Sequence, residues 1–304
     1  MDGKVIYPRE LAVGDRIAIV SPASSIDPAL VEGALPVLRS QGWNPYVASS
    51  ALGNDGSYSG SMEARLADLT EAVCDPSVRA ILCSRGGYGA VHLLERFPAG
   101  QFLADPKWII GFSDISALHA LASRLGVASV HSSMCKNLAI NGGEDPAANA
   151  LFGILRGEGI SYEVAPHPYN VAGAASGTLV GGNMAVLGGL IGTCYDIFRA
   201  SDPIIFIEDI AEPIYKVERL LYQLRLSGVL SRAKGIIVGQ FTEYNPDRNY
   251  MAMYDMIRDM TRDLGIPVAF DFPVGHVDGN MPVIESAPCH LEVTGDKVTF
   301  FQAR

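Results

Sequence analysis

The chain has 304 residues, 48% hydrophobic and 18% charged, with 32 Gly and 18 Pro; this is length enough for two domains or one large one, and not the apolar-poor composition of a disordered chain. Lys+Arg 23 against Asp+Glu 33 leaves a formal net charge of −10, and no basic run is present to meet a phosphate backbone, which argues against nucleic acid as a partner. The start, MDGKVIYPRE, has an acid at position 2 and no apolar signal core, and the most apolar long window, 181–193, is shorter than the ~20 residues of a membrane span, so neither secretion nor a membrane partner is expected.

In chain order, the apolar runs 16–20 (RIAIV), 80–83 (AILC), 107–112 (KWIIGF) and 127–131 (VASVH) alternate with candidate helices near 28–41, 61–74 and 114–125. Such alternation predicts a parallel sheet with helices on both faces. Within 61–74, Met62, Leu66, Leu69 and Val73 recur with helical period, as in a covering helix. Residues 157–176 are rich in Gly, Pro and Ser without helical period and read as a linker between domains at 1–156 and 177–304. Beyond it, 181–193 (GGNMAVLGGLIGT) reads as a soluble helix, followed by a strand at 203–207, a helix near 216–227, a strand at 235–238 and a helix near 249–264. The end, 289–294 and 297–301 joined by Gly295-Asp296, alternates with period 2 and reads as a hairpin. The cysteines, Cys74, Cys83, Cys135, Cys194 and Cys289, are odd in number, far apart and without a CxxC pair. They fit reduced thiols in a cytoplasmic protein better than a disulfide frame or a zinc site.

The sharpest chemical feature is 107–124, KWIIGFSDISALHALASR, where a strand meets Gly111-Phe112-Ser113 and passes at once into a helix. A serine at the apex of strand–turn–helix is the geometry of a nucleophile elbow, with the Asp114 N–H able to face an oxyanion. Ile115 stands where the second Gly of G-x-S-x-G falls, and helix capping by Ser113 or Asp114 is the competing reading. A second feature, 83–90 (CSRGGYGA), follows a strand; Gly86 or Gly87 is open to three readings, a second oxyanion donor, a phosphate loop or a tight turn.

A serine nucleophile needs a base, and the base an orienting acid. His92 and His119 fall in predicted helices, His290 in a strand and His167 in the linker, which leaves His131 and His276; the latter lies in the polar loop FPVGHVDGNMP. Glu208, at the end of the apolar strand PIIFI, suits the orienting role better than Asp209 or Glu212, because a carboxylate there demands a partner. A salt-bridged strand end and an exposed loop histidine are the ordinary explanations of the same two residues.

Taken together, GDRIAIVSPAS, SRGGYGA, IIGFSDISALHAL, GGNMAVLGGLIGT, IEDIAEPIYKVERLLYQLRLSG and GHVDGNMPV resemble, in order and spacing, the LD-carboxypeptidase family of serine peptidases, which includes muramoyltetrapeptide carboxypeptidases and microcin-immunity hydrolases. The resemblance implies an α/β fold: an N-terminal flavodoxin-like or amidotransferase-like parallel-sheet domain and a smaller C-terminal mixed, β-rich domain. It implies a cytoplasmic homodimer with no cofactor and no metal, acting on murein tetrapeptide and releasing D-alanine. Carried over residue by residue, it assigns the nucleophile to Ser113, the acid to Glu208 and the base to His276, with oxyanion donors at Asp114 and at Gly86 or Gly87. Arg85 is the nearest cation by sequence for the substrate carboxylate. Two departures touch the pocket: HSSM (His131–Met134) replaces the family's HGPM, and MPVIE (Met281–Glu285) its LPxG. A microcin-type amide hydrolase and a non-catalytic two-domain binding protein stay open as alternatives.

Overall fold

The computed structural model describes residues 5–304, so the part of the amino-terminal expectation that falls on residues 1–4 lies outside the described residues. Among them, the chain divides into two compact units: 5–158 with Met281–Glu285, and Gly159–Asn280 with Ser286–Arg304.

The first unit is built on β1 (Arg16–Val20), β2 (Asn44–Val47), β3 (Val78–Cys83), β4 (Trp108–Gly111) and β5 (Ser129–His131), all parallel, in the order β2-β1-β3-β4-β5. This is the flavodoxin-type doubly wound order. β3 and β4 are buried along their whole length, which is why they read as continuous apolar runs. Two of the helices that cover the sheet start where the sequence supplies a cap. Asp27 accepts from the Ala29 N–H ahead of Pro28–Ser40, with Pro28 in the first turn, and Ser61 accepts from Ala64 N–H ahead of Met62–Cys74. In this topology the order reverses between β1 and β3, and ligands bind outside the carboxyl ends of the strands at that point. The loops that leave β1 and β3 there are 21–27 and 84–89, and β4 passes through residue 112 into the 3-10 turn Ser113–Ile115.

The second unit has a mixed sheet. β6 (Ile160–Val164), β7 (Gly173–Asn183), β8 (Pro203–Ile210), β9 (Gly235–Thr242) and β10 (Val268–Ala269) come first in the chain. β11 (Val283–Glu285) then leaves this unit to pair antiparallel with β5 of the first, before β12 (Pro288–Val293) and β13 (Val298–Gln302) close as a hairpin. The order is β10-β9-β8-β7-β12-β13-β6, with β7 to β10 parallel and the rest antiparallel.

Two segments differ from the sequence expectation. The window 181–193 is not one helix: β7 runs through to Asn183, and only Met184–Gly188 is helical, capped by Asn183 Oδ1 on the Val186 N–H. Its glycines explain the error, since a Cβ on Gly181 would collide with the Phe206 carbonyl, so close strand packing rather than helix interior selects glycine there. Within 157–176, read as a linker, ISYEV forms β6; Ile160 and Tyr162 face inward and Ser161 and Glu163 outward, a period-2 pattern that Gly and Pro on either side obscured. Among the described residues, no helix is long and apolar enough to cross a membrane.

Candidate active site

β4 ends at Gly111, where a Cβ would come within 2.9 Å of Ile115 and 3.2 Å of Cys83, so the strand can turn here only without a side chain. Behind it, the fully buried His119 bridges Gly111 O and Ser129 Oγ, each at 2.8 Å. A carbonyl only accepts, so Nε2 carries the proton and Nδ1 accepts from the serine hydroxyl. Burial, helped by neighbouring His131, holds this imidazole neutral with its pKa down to about 3 against the opposing bond to Gly111.

The turn then places Ser113 at φ +66°, in the left-handed region, before a 3-10 turn (Ser113–Ile115) leads into the helix Ser116–Arg124. A non-glycine residue there carries a cost of about 1–3 kcal/mol, tolerated where the surroundings enforce it and concentrated at functional turns. Ile115 occupies the helix N-cap. The Asp114 carboxylate, rather than capping that helix, crosses to accept from the Ala90 N–H at 2.8 Å. Its burial pushes the carboxyl up to about 6, opposed by the N–H groups of Ala90 and Gly89 and by the Arg65 charge.

The loop after β3 lies directly against this elbow. A Cβ on Gly86 would come within 2.7 Å of Ser113 Cβ, 2.9 Å of its Oγ and 3.2 Å of the Asp114 nitrogen. Gly87 (φ +107°) would drive a Cβ into the Ser24 side chain. Both glycines are therefore required by close approach, and Gly86 brings its backbone to Ser113. Arg85 is exposed and donates from Nη1 to Ser25 O at 3.1 Å.

In the second unit, Glu208 lies inside β8 rather than at its end, opposite Asn183 of β7, at a register shift between Ile207 and Asp209. Its side chain is wholly buried, and its Oε2 lies 2.7 Å from His276 Nδ1. A carboxylate can only accept, so Nδ1 carries the proton and Nε2 is the basic nitrogen. The next carboxylate along the strand is used differently. Asp209 accepts from Asn183 Nδ2, Ala185 N and Ile210 N, and burial followed by the Glu208 charge raises it to about 6.

The histidine loop is held by residues that carried no signal in the sequence reading. Asn280, fully buried, accepts from the Gly275 N–H at 2.8 Å. Gly275 (φ +123°) allows the loop to pass Glu208, whose Oε2 a Cβ would approach to 3.0 Å. The Gly-x-x-x-x-Asn spacing in GHVDGN was the available clue, since Asn side chains commonly staple their own loops. Glu208 and His276 are thus brought together in one unit, while Ser113, Asp114, Gly86, Gly87 and Arg85 are gathered in the other.

Models of the LD-carboxypeptidase N-terminal and C-terminal domains match residues 17–132 and 176–291. The chain belongs to the LD-carboxypeptidase family. Among its relatives, a Bacillus subtilis protein named "Probable murein peptide carboxypeptidase" is 30% identical over 97% of this chain and 94% of its own length. The murein tetrapeptide carboxypeptidase of Pseudomonas aeruginosa is 29% identical over 87% of this chain and 89% of its own. The crystal structure of muramoyltetrapeptide carboxypeptidase from Oxalobacter formigenes superimposes with a TM-score of 0.86 at 26% identity, covering 95% of this chain and 99% of that one.

Proposed function

We propose that this LD-carboxypeptidase is a serine peptidase that removes the terminal D-alanine from murein tetrapeptide. The observation that carries the reading is the 2.7 Å bond between His276 Nδ1 and the buried Glu208, which makes Nε2 a base of defined tautomer. In this reading Nε2 takes the proton of Ser113, whose oxygen attacks the carbonyl before D-alanine. The Asp114 N–H and the N–H of Gly86 or Gly87 hold the resulting oxyanion, each donor supplying about 3–4 kcal/mol. His276 then returns the proton to the departing amine of D-alanine, and water releases the acyl group by the same steps in reverse order. Glu208 holds the imidazole and stabilises its protonated form without itself taking the proton. Arg85 is the proposed partner of the substrate's terminal carboxylate, and the cytoplasm and a homodimer are the proposed setting.

The test is release of free D-alanine from muramoyl tetrapeptide by wild type and Ser113→Ala, with a chelator in both. Release by wild type alone is expected. Equal release by both sinks the nucleophile assignment, and release by neither sinks the substrate.

A further inference from the structure

We propose that buried Asp114 and Arg65 are positioning residues that grip one peptide group of the glycine loop and so hold its backbone against Ser113. The inference rests on the serine-peptidase reading above and adds two side chains that act through the loop rather than on substrate.

The gripped group is the peptide between Gly89 and Ala90. Its N–H donates to Asp114 Oδ2 at 2.8 Å and its carbonyl accepts from Arg65 Nη1 at 2.9 Å. Arg65 is only 2% exposed, and the same guanidinium also donates to Pro22 O at 2.6 Å and Gly60 O at 3.1 Å and lies 3.3 Å from His92 Nδ1. At the other end of the loop, Ser24 N donates to Gly86 O at 3.3 Å and Ser24 Oγ accepts from Tyr88 N at 3.2 Å.

A clamp is needed because Gly86, Gly87 and Gly89 fall within four residues, two of them at positive φ. Glycine has the widest backbone freedom of any residue, so such a loop holds one shape only if contacts impose it. Bonds to ionised groups are roughly twice as strong as neutral ones. Burying both ions is costly in itself: burial raises the Asp114 carboxyl and lowers the Arg65 guanidinium, while each one's charge opposes the other's shift. Asp114 would therefore serve twice, its N–H toward the oxyanion and its side chain setting the loop that carries the other donor.

The experiment compares wild type, Asp114→Asn, Asp114→Ala and Arg65→Lys by steady-state D-alanine release and by amide hydrogen exchange over residues 86–90. Asn retains one acceptor and the volume of Asp but removes the charge that strengthens the Ala90 bond and pairs with Arg65, so the packing is kept while the clamp is weakened. Expected are a kcat fall of about 10- to 100-fold for Asn and more for Ala, KM within about threefold, and exchange at 86–90 at least about tenfold faster, by analogy with losing one oxyanion donor. Arg65→Lys, keeping charge but unable to reach three carbonyls at once, should fall between wild type and Asp114→Ala. Unchanged exchange, or faster exchange with unchanged kcat, in an active wild-type background overturns the clamp alone. No release by wild type sinks the activity reading and the inference with it.

Discussion

Gly86 leaves no space for a side chain beside Ser113, since a Cβ there would sit 2.7 Å from the serine Cβ and 2.9 Å from its Oγ. The two residues come from loops after different strands, so their contact couples the shape of one loop to the aim of the other.

Gly86→Ala is therefore expected to displace Ser113 while leaving the sheet beneath intact. Gly86 is not among the positive-φ glycines, so Ala is not strained by backbone conformation, only by contact. Overpacking of this kind costs about 1–3 kcal/mol, whereas misplacing a nucleophile or oxyanion donor lowers kcat by about 10²–10³. D-alanine release assayed beside a urea melt checks it; a stable variant with wild-type kcat contradicts the contact.

Glu208→Gln retains the volume at a wholly buried site but replaces an obligate acceptor with a group that can donate, which permits the wrong imidazole tautomer. A loss of about 10⁴ in kcat is expected, as for the equivalent change in other serine peptidases. If kcat changes less than about tenfold, Glu208 does not orient the base.

His119 makes stability fall in acid by a route separate from the chemistry. Its pKa is about 3 in the fold against the ordinary histidine value of 6.5, so the unfolded chain takes up the proton first. The stability it contributes is complete above 6.5 and is lost as the pH falls toward 3, at about 1.4 kcal/mol per unit. Asp114 and Asp209 work in the opposite sense: raised to about 6, they favour the protonated fold, and their contribution is lost as pH rises through 6. Comparing wild type with His119→Gln cancels those carboxylates. The advantage of wild type in urea melts should shrink by about 2–3 kcal/mol between pH 7.5 and 4.5, and a constant difference would show that His119 does not titrate as its burial requires.

Asn280→Ala removes the acceptor for the buried Gly275 N–H. Leaving such a donor without a partner costs about 1–3 kcal/mol, and the loop that carries His276 should loosen. The expected signature is a kcat reduction of about tenfold or more with little change in KM, because a slack base is misplaced in the transition state more than substrate is misplaced in the ground state. A KM effect alone would instead give this loop a binding role.

Local pattern was enough for much of the fold. Buried parallel strands are continuous apolar runs, so β1, β3 and β8 declared themselves, and the helices near 28–41 and 61–74 were legible from their period. The same locality misled at 181–193, where glycines serve β7 packed against Phe206, and at 160–164, where a five-residue strand is stabilised by β13 more than a hundred residues away. Family resemblance singled out Glu208 and His276, and Ser113 stood out by its strand–turn–helix setting.

Residue type and order alone nominated Glu208, His276 and Ser113 as candidates and showed which family the chain resembles, while the close approaches that require glycine at 86 and 87 came from the fold. What only tertiary structure decided is what each group touches. It put Glu208 rather than Asp209 against the imidazole, carried the Asp114 carboxylate to Ala90 in place of a helix cap, buried Arg65 on the Gly89 carbonyl, and returned β11 to pair with β5. Those contacts join segments 24 to 156 residues apart, and a hydrogen bond acts only over about 3 Å. No pattern read along the chain encodes which distant groups will meet at that range until the sheets bring them there.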